Sequence, residues 1–90
     1  MRKIVLIMAL VLATVAADAQ KEWRDVRKGN KQYENKEYDE AIVSYKKGVA
    51  KNPRSFSGYF NLGNALFRQQ QYDSACVKYA EALNFAGDDK

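Results

Sequence analysis

The chain has 90 residues and a net charge of +4, with 29% charged residues, no His and a single Cys. That length allows one domain at most, and the lack of His together with the lone Cys excludes His-based catalysis, a multi-Cys zinc site and an intramolecular disulfide. Because basic and acidic residues are interspersed, without the basic stripe and aromatic residues of a nucleic-acid-binding surface, the sequence predicts no nucleic-acid partner, and it predicts no catalytic, cofactor or metal site.

Residues 1–19 have the organisation of a signal peptide: a basic start, an uncharged run over residues 4–17, and small residues at Ala17 and Ala19. Cleavage is expected before Gln20. An uncleaved membrane anchor is the alternative, but the run would span only about 21 Å of the roughly 30 Å hydrocarbon core. We therefore expect an exported protein in the periplasm or cell envelope of a bacterium, with no stable membrane span after cleavage.

A first helix pair is predicted within residues 20–51. One face of its first helix carries Trp23, Val26, Asn30 and Tyr33, and the second helix carries Tyr38, Ala41, Ile42, Tyr45, Gly48 and Val49, all at helical spacing. The polar residues 35–37 separate the two helices. Pro53 is expected to end the second helix, because the residue before a proline is disfavoured in the helical region. Ser55 is a predicted N-cap for the next helix.

A third helix is predicted over residues 56–70, and its apolar residues cover two adjoining faces, as expected of a helix packed on both sides. A polar turn at residues 69–71 precedes a fourth helix, which carries Tyr72, Ala75, Cys76, Tyr79, Ala82 and Leu83. Gly87 is a predicted C-cap. We expect Cys76 to be a small buried hydrophobe. The alternative is a reactive thiol, which could pair between chains in an oxidising compartment.

Two units of 34 residues, 22–55 and 56–89, have matching residue types. The identical pairs are Gly29 with Gly63, Asn30 with Asn64, Tyr38 with Tyr72, Asp39 with Asp73, Ala41 with Ala75, Val43 with Val77, and Tyr45 with Tyr79. This period is typical of a helix–turn–helix solenoid repeat. We expect each glycine to face the alanine of its unit, each of Tyr38 and Tyr72 to fill the wedge between the helices, and each unit to stack on a neighbour.

These residues resemble the tetratricopeptide repeat, or TPR. The second unit carries the residues typical of the family at Tyr59, Leu62, Gly63, Tyr72, Ala75, Tyr79 and Ala82, and the first unit at Gly29, Tyr38, Ala41, Tyr45 and Pro53. The chain departs from the family pattern at Asp25, Lys28, Gln32, Gly48, Leu66 and Gly87. The resemblance implies an all-α fold, an α-solenoid of two TPR units with four antiparallel helices after the signal peptide.

The resemblance also implies a non-enzymatic interaction module that binds a peptide or a partner helix in a concave groove. The groove positions that it implies are Trp23, Val26, Asn30, Tyr33, Glu34, Phe60, Asn61, Asn64, Phe67 and Arg68. Amides there would grip a peptide backbone and aromatic rings would hold side chains. The alternative is that these are common residues of the repeat with packing roles. A clamp for a terminal carboxylate is not expected, because Val26 stands where such a clamp has a Lys.

A narrower resemblance is to exported TPR proteins of the Bacteroides-type aerotolerance operon, carried by residues 26–30 and residues 61–66 together with the signal peptide. Two further alternatives remain open. Because solenoids usually need about three repeats for stability, the chain could be the N-terminal TPR region of a larger sensor or enzyme. It could also form a homo-oligomer through an open C-terminal end, since no polar capping helix follows Leu83.

Overall fold

The structure is a computed structural model that describes residues 22–87, and every regular element in that range is an α-helix. The helices are α1 at residues 22–34, α2 at Tyr38–Lys51, α3 at Phe56–Arg68 and α4 at Tyr72–Asn84. The all-α fold of two helix–turn–helix units is therefore confirmed. Within this range no helix is both long and apolar enough to cross a membrane. The predicted signal peptide, residues 1–19, lies outside the described residues.

Local sequence signals set the ends of α2 and α3. The first turn of α2 contains two carboxylates, which interact favourably with the helix dipole, and the helix ends at Lys51, shortly before Pro53, as predicted. Ser55 caps α3, because its Oγ accepts a hydrogen bond from the Gly58 backbone N–H over 3.0 Å. The predicted N-cap is confirmed.

The turns inside the two units have the same backbone conformation. Lys36 has a φ of 62° and Gln70 a φ of 64°, so both lie in the left-handed region that commonly follows the end of a helix. The next backbone N–H then bonds back to the last helical turn, over 2.8 Å from Glu37 to the Gln32 carbonyl and over 2.9 Å from Gln71 to the Leu66 carbonyl. The polar breaks predicted at residues 35–37 and 69–71 are thus matching helix-terminating turns.

An aromatic pair covers each of these turns. The rings of Tyr33 and Tyr38 meet edge to face at a centroid distance of 5.3 Å, and those of Phe67 and Tyr72 do so at 5.1 Å. This is the wedge position that the sequence assigned to Tyr38 and Tyr72. Offset and edge-on aromatic pairs stabilise beyond the area that they bury, so each pair helps to hold the two helices of its unit together.

The end of α4 differs from the sequence prediction for Gly87. The helix ends at Asn84, Phe85 occupies the cap position, and no glycine within residues 22–87 has a positive φ. The backbone N–H groups of Phe85 and Ala86 bond to carbonyls three residues earlier. Because this tight turn ends the helix without a left-handed residue, the predicted C-cap role of Gly87 is wrong.

The core is one cluster of buried side chains drawn from all four helices. Its members are Val26, Ala41, Ile42, Tyr45, Leu62, Ala65, Leu66 and Ala75. The helix α3 packs against both α2 and α4. The expectation that the third helix is covered on two faces is confirmed, and α3 is the element that joins the two units.

The glycines of α1 and α3 face tyrosine rings, not the predicted alanines. A Cβ built on Gly29 would lie 2.5 Å from Tyr45 Cε1, and one on Gly63 would lie 2.7 Å from Tyr79 Cδ1. A Cβ does not fit at such distances, so each glycine lets its helix lie directly on the ring from the second helix of the same unit. Ala41 is fully buried nearby in the core, but it is not the nearest neighbour of the glycine.

Equivalent faces of α2 and α4 have different exposure. Ile42 on α2 belongs to the core, whereas Cys76, which occupies the same repeat position on α4, is exposed. Val49 packs against the core, whereas its counterpart Leu83 is 73% exposed. The helix α3 covers α2, but no helix within the described residues covers the corresponding face of α4. The prediction that Cys76 is buried is therefore wrong.

Candidate functional site

The first helices of the two units, α1 and α3, border a cleft of about 170 Å³. Its lining consists of Asn30, Tyr33 and Glu34 from α1, Asn61 and Asn64 from α3, and Tyr45 from α2. All of these except Tyr45 were predicted groove residues, so half of the predicted set meets in one place. We call this cleft the groove.

Two tyrosine hydroxyls fix the orientation of the asparagine amides. Tyr45 donates its O–H to Asn30 Oδ1 over 2.7 Å, and Tyr79 donates its O–H to Asn64 Oδ1 over 2.6 Å. Asn61 Nδ2 also donates to Asn30 Oδ1, over 3.3 Å. With both oxygens engaged, the Nδ2 groups of Asn30 and Asn64 remain as donors, and neither has an acceptor among residues 22–87. The two units thus present the same hydrogen-bond donor.

Burial keeps the supporting tyrosines in the protonated, donating form. It raises the pKa of Tyr45 to about 12, with smaller effects from Tyr33 and Glu34. Burial is also the main cause that raises the pKa of Tyr79, followed by Tyr33 and Cys76. Desolvation disfavours the charged phenolate, so both hydroxyls donate throughout the neutral range.

We expect the hydrogen bond from Tyr45 to be lost only in strong alkali. In the unfolded chain a tyrosine has a pKa of about 10, so the native state binds this proton more tightly than the unfolded state does. The stability contributed by Tyr45 is therefore intact below pH 10 and is lost as the pH rises toward 12. Phenolate absorbance is measured during an alkaline titration of the wild type and of Tyr45→Phe. The difference between the two curves reports the ionisation of Tyr45. A difference curve with its midpoint near pH 10 would contradict the buried, bonded hydroxyl.

Aromatic rings extend the site along α3. Phe60 is 43% exposed and Phe67 is 54% exposed, and the Phe60 ring packs on that of Tyr79 at 5.6 Å. Arg68 Nε donates to the Tyr33 hydroxyl over 3.1 Å, which joins the ends of α1 and α3. The predicted residues Phe60, Phe67 and Arg68 therefore offer apolar and cationic surface beside the asparagines.

Two predicted residues lie apart from the groove. Trp23 is 51% exposed, but it lines a separate cleft of about 410 Å³ together with Phe56. Val26 is 1% exposed and belongs to the core. Its Cγ2 would lie 3.3 Å from a Cβ built on Gly48, so it fills the space that this glycine leaves. Val26 offers almost no surface to a ligand, and we exclude it from the groove.

Sequence reasoning missed the roles of Tyr45 and Tyr79. Both were assigned only to the apolar faces of the second helices, yet their hydroxyls orient the groove amides. The signal was present in the repeat itself, because a Gly-Asn pair occurs at residues 29–30 and again at residues 63–64, with a Tyr at a constant distance after each pair. The glycine admits the ring, and the asparagine accepts from the hydroxyl of the same ring.

Two family models match the chain. A model described as TPR repeat matches residues 29–70, and a model described as tetratricopeptide repeat matches residues 56–89. Together they cover residues 29–89, which is more than half of the sequence. The chain is a TPR repeat protein. TPR repeats generally mediate protein–protein interactions, and TPR modules are generally non-catalytic scaffolds. No curated protein matches the sequence.

Proposed function

We propose that this TPR protein is a non-enzymatic scaffold whose groove binds a peptide or a partner helix. The observation that carries the proposal is the repeated amide donor, since Asn30 and Asn64 each have Oδ1 fixed by a tyrosine and Nδ2 left to donate. Donors that are held in place before binding suit the backbone carbonyls of a peptide, because their orientation costs nothing further when the ligand arrives.

The exposed rings beside the asparagines provide the apolar part of the same surface. Phe60 and Phe67 are both exposed on α3, and aromatic residues, Phe included, are enriched at protein–protein interfaces. Phe60 also stacks on Phe56 at a centroid distance of 5.6 Å, so its ring is held by its neighbours. A ligand side chain would therefore meet a supported ring next to a row of amide donors.

Asn64→Asp is the sharpest test of the groove. An aspartate keeps an oxygen acceptor for the Tyr79 hydroxyl but replaces the Nδ2 donor with a second acceptor. Peptides selected from a random display library against the wild type should bind Asn64→Asp at least about tenfold more weakly, because a carboxylate repels the peptide carbonyls. Fluorescence anisotropy with the labelled peptides measures the change.

Asn84→Asp is the matched control, since it makes the same chemical change on an exposed residue at the end of α4. It should bind the selected peptides like the wild type, and circular dichroism should show the same helix content for both variants. Failure to select any peptide, or equal binding by the two variants, would overturn the proposal that the groove binds peptides.

We further propose that the protein acts in the periplasm or cell envelope. The signal-peptide pattern of residues 1–19 and the resemblance to exported TPR proteins of the aerotolerance operon support this location. Fractionation of a Gram-negative host that expresses the full chain with a C-terminal tag, followed by N-terminal sequencing, should find a chain that begins at Gln20 in the periplasmic fraction. Cytoplasmic protein that retains Met1 would contradict the proposal.

A second candidate function is self-association through α4. The exposed side chains of Cys76 and Leu83 favour it, because the equivalent residues of α2 are packed under α3. Light scattering would then show a dimer that Leu83→Asp converts to a monomer, since a buried unpaired carboxylate is unfavourable in an apolar interface. A monomer at all concentrations would eliminate this candidate and leave the groove unaffected.

A further inference from the structure

One face of α1 is densely cationic. Arg24, Arg27, Lys28 and Lys31 are all exposed, and their spacing of three, one and three residues puts them on one side of the helix. Together with Asn30 and Glu34 they line a cleft of about 540 Å³. The first unit carries nine Lys and Arg residues against six Asp and Glu, whereas the second carries two against four, so the basic character belongs to this end of the molecule.

The other acidic residues of α1 do not neutralise this face, because they are engaged elsewhere. Glu22 is buried and accepts the Ser55 hydroxyl over 2.6 Å, and Asp25 accepts from Lys51 Nζ over 2.6 Å. Among the residues that line the cleft, Glu34 is the one carboxylate and four are cations. None of those cations pairs with a carboxylate inside residues 22–87. The cleft therefore keeps an uncompensated positive charge, and the mixing of basic and acidic residues along the sequence does not extend to this face of α1.

The basic cleft adjoins the groove. Asn30 and Glu34 line both cavities, so a chain that lies between α1 and α3 leaves the groove directly over the cationic face. No aromatic or aliphatic side chain lines the basic cleft, which argues against base stacking with a nucleic acid and against insertion into a lipid surface. The complementary ligand is an extended chain that carries several carboxylates.

We propose that the groove ligand is an acidic peptide segment, whose carboxylates contact Arg24, Arg27, Lys28 and Lys31 while its adjoining residues occupy the groove. This inference rests on the proposed groove function and specifies its partner. Charge complementarity of this kind selects among partners and accelerates encounter, and it weakens with salt because the charges are exposed.

Three synthetic peptides test the inference directly. One half of each peptide is the same alternating Ala–Leu sequence, and the other half is hexaglutamate, hexaglutamine or hexalysine. Fluorescence anisotropy measures the binding of each peptide to the protein at low ionic strength and at about 0.15 M. The hexaglutamate peptide should bind the tightest and lose the most affinity with salt. Arg27→Gln/Lys31→Gln should weaken it about tenfold and leave the hexaglutamine peptide unchanged.

Lys46→Gln/Lys47→Gln is the matched control, because it removes two exposed charges from α2 that do not line either cleft. It should leave all three peptides unaffected, whereas Asn64→Asp should weaken the hexaglutamate and hexaglutamine peptides, which carry no cation that could pair with the new carboxylate. Equal binding of the hexaglutamate and hexaglutamine peptides, or no binding of hexaglutamate at any salt concentration, would overturn acid recognition even if the groove binds library peptides.

Two further outcomes distinguish recognition of acidic peptides from the groove function on which it rests. Hexaglutamate binding could depend on Arg27 and Lys31 but be unchanged by Asn64→Asp. The groove would then take no part in binding the acidic peptide, and the proposal of one ligand across the groove and the basic cleft would be wrong. Tighter binding to a single-stranded oligonucleotide or to vesicles of anionic phospholipid than to hexaglutamate would show that the cationic face serves a different class of partner.

Discussion

Ser55→Ala should lower the free energy of unfolding by about 2–4 kcal/mol. The hydroxyl has two roles: it accepts from the Gly58 N–H over 3.0 Å as the N-cap of α3, and it donates to Glu22 Oε1 over 2.6 Å. Loss of such a cap costs about 1 kcal/mol. The substitution also leaves the buried Glu22 carboxylate without this donor, which costs roughly another 1–3 kcal/mol.

Urea unfolding followed by circular dichroism measures the effect, which is large for a domain whose total stability is roughly 0.05–0.15 kcal/mol per residue. Ser74→Ala, at an exposed position of α4, is the control and should stay within about 0.5 kcal/mol of wild type. In a Glu22→Gln background the Ser55→Ala change should cost less, because no buried charge is left behind. A Ser55→Ala variant as stable as Ser74→Ala would disprove the double role.

The elements of the fold that depend on local sequence were predictable. Pro53 ends α2 and Ser55 caps α3 through interactions within a few residues. The turns at Lys36 and Gln70 follow from the repeat, because two polar breaks 34 residues apart adopt one backbone conformation. Helical periodicity was sufficient to place four helices, since a 3.6-residue pattern identifies the buried face of each one.

Whether a residue on that face is buried or exposed depended on its neighbours in space. Val26 and Phe60 occupy the same repeat position, yet Val26 is in the core and Phe60 is exposed. The partner of Val26 is Gly48, which leaves room for its side chain, whereas the residue that matches Gly48 in the second unit is Ala82. Phe60 instead packs on Phe56 and Tyr79, and helical periodicity alone does not distinguish these two environments.

The contacts that support the candidate site could not be predicted from the sequence pattern either. Glu22 is a charged residue of α1, yet it is buried and accepts a hydrogen bond from Ser55, which lies 33 residues further along the chain. The groove asparagines were predicted from the family resemblance, whereas the hydroxyls that orient them come from the opposite helix of each unit. Such pairings require the distance between helices, which the glycines set.

Gly29→Ala is expected to destabilise the protein by a net of up to about 2 kcal/mol, because an overpacked core costs about 1–3 kcal/mol and the better helix propensity of alanine offsets about 1 kcal/mol. Its Cβ would lie 2.5, 2.7 and 3.0 Å from three atoms of the Tyr45 ring. That ring is almost fully buried and its hydroxyl is bonded to Asn30 over 2.7 Å, so it has no free direction in which to move. The roughly 1 kcal/mol by which alanine is the better helix former offsets only part of the clash.

Gly63→Ala is the internal comparison, because it makes the same change at the same repeat position. Its Cβ would approach the Tyr79 ring to 2.7 Å, but Tyr79 is only partly buried, whereas Tyr45 is almost fully buried. A partly buried ring is displaced at a lower cost than a fully buried one, so we expect a loss of about 0–1 kcal/mol once helix propensity is included. Gly87→Ala, with no atom within 4 Å of the new Cβ, should be close to neutral.

Removing the Tyr79 ring should change the sign of the Gly63→Ala effect. In a Tyr79→Ala background the new methyl group has no ring to meet, so the substitution should stabilise α3 by up to about 1 kcal/mol through helix propensity alone. Urea unfolding of the four proteins in this cycle gives the coupling between the two positions. A coupling near zero would mean that the close approach of helix and ring does not set the spacing of the unit, and the small cost expected for Gly63→Ala would then need a different cause.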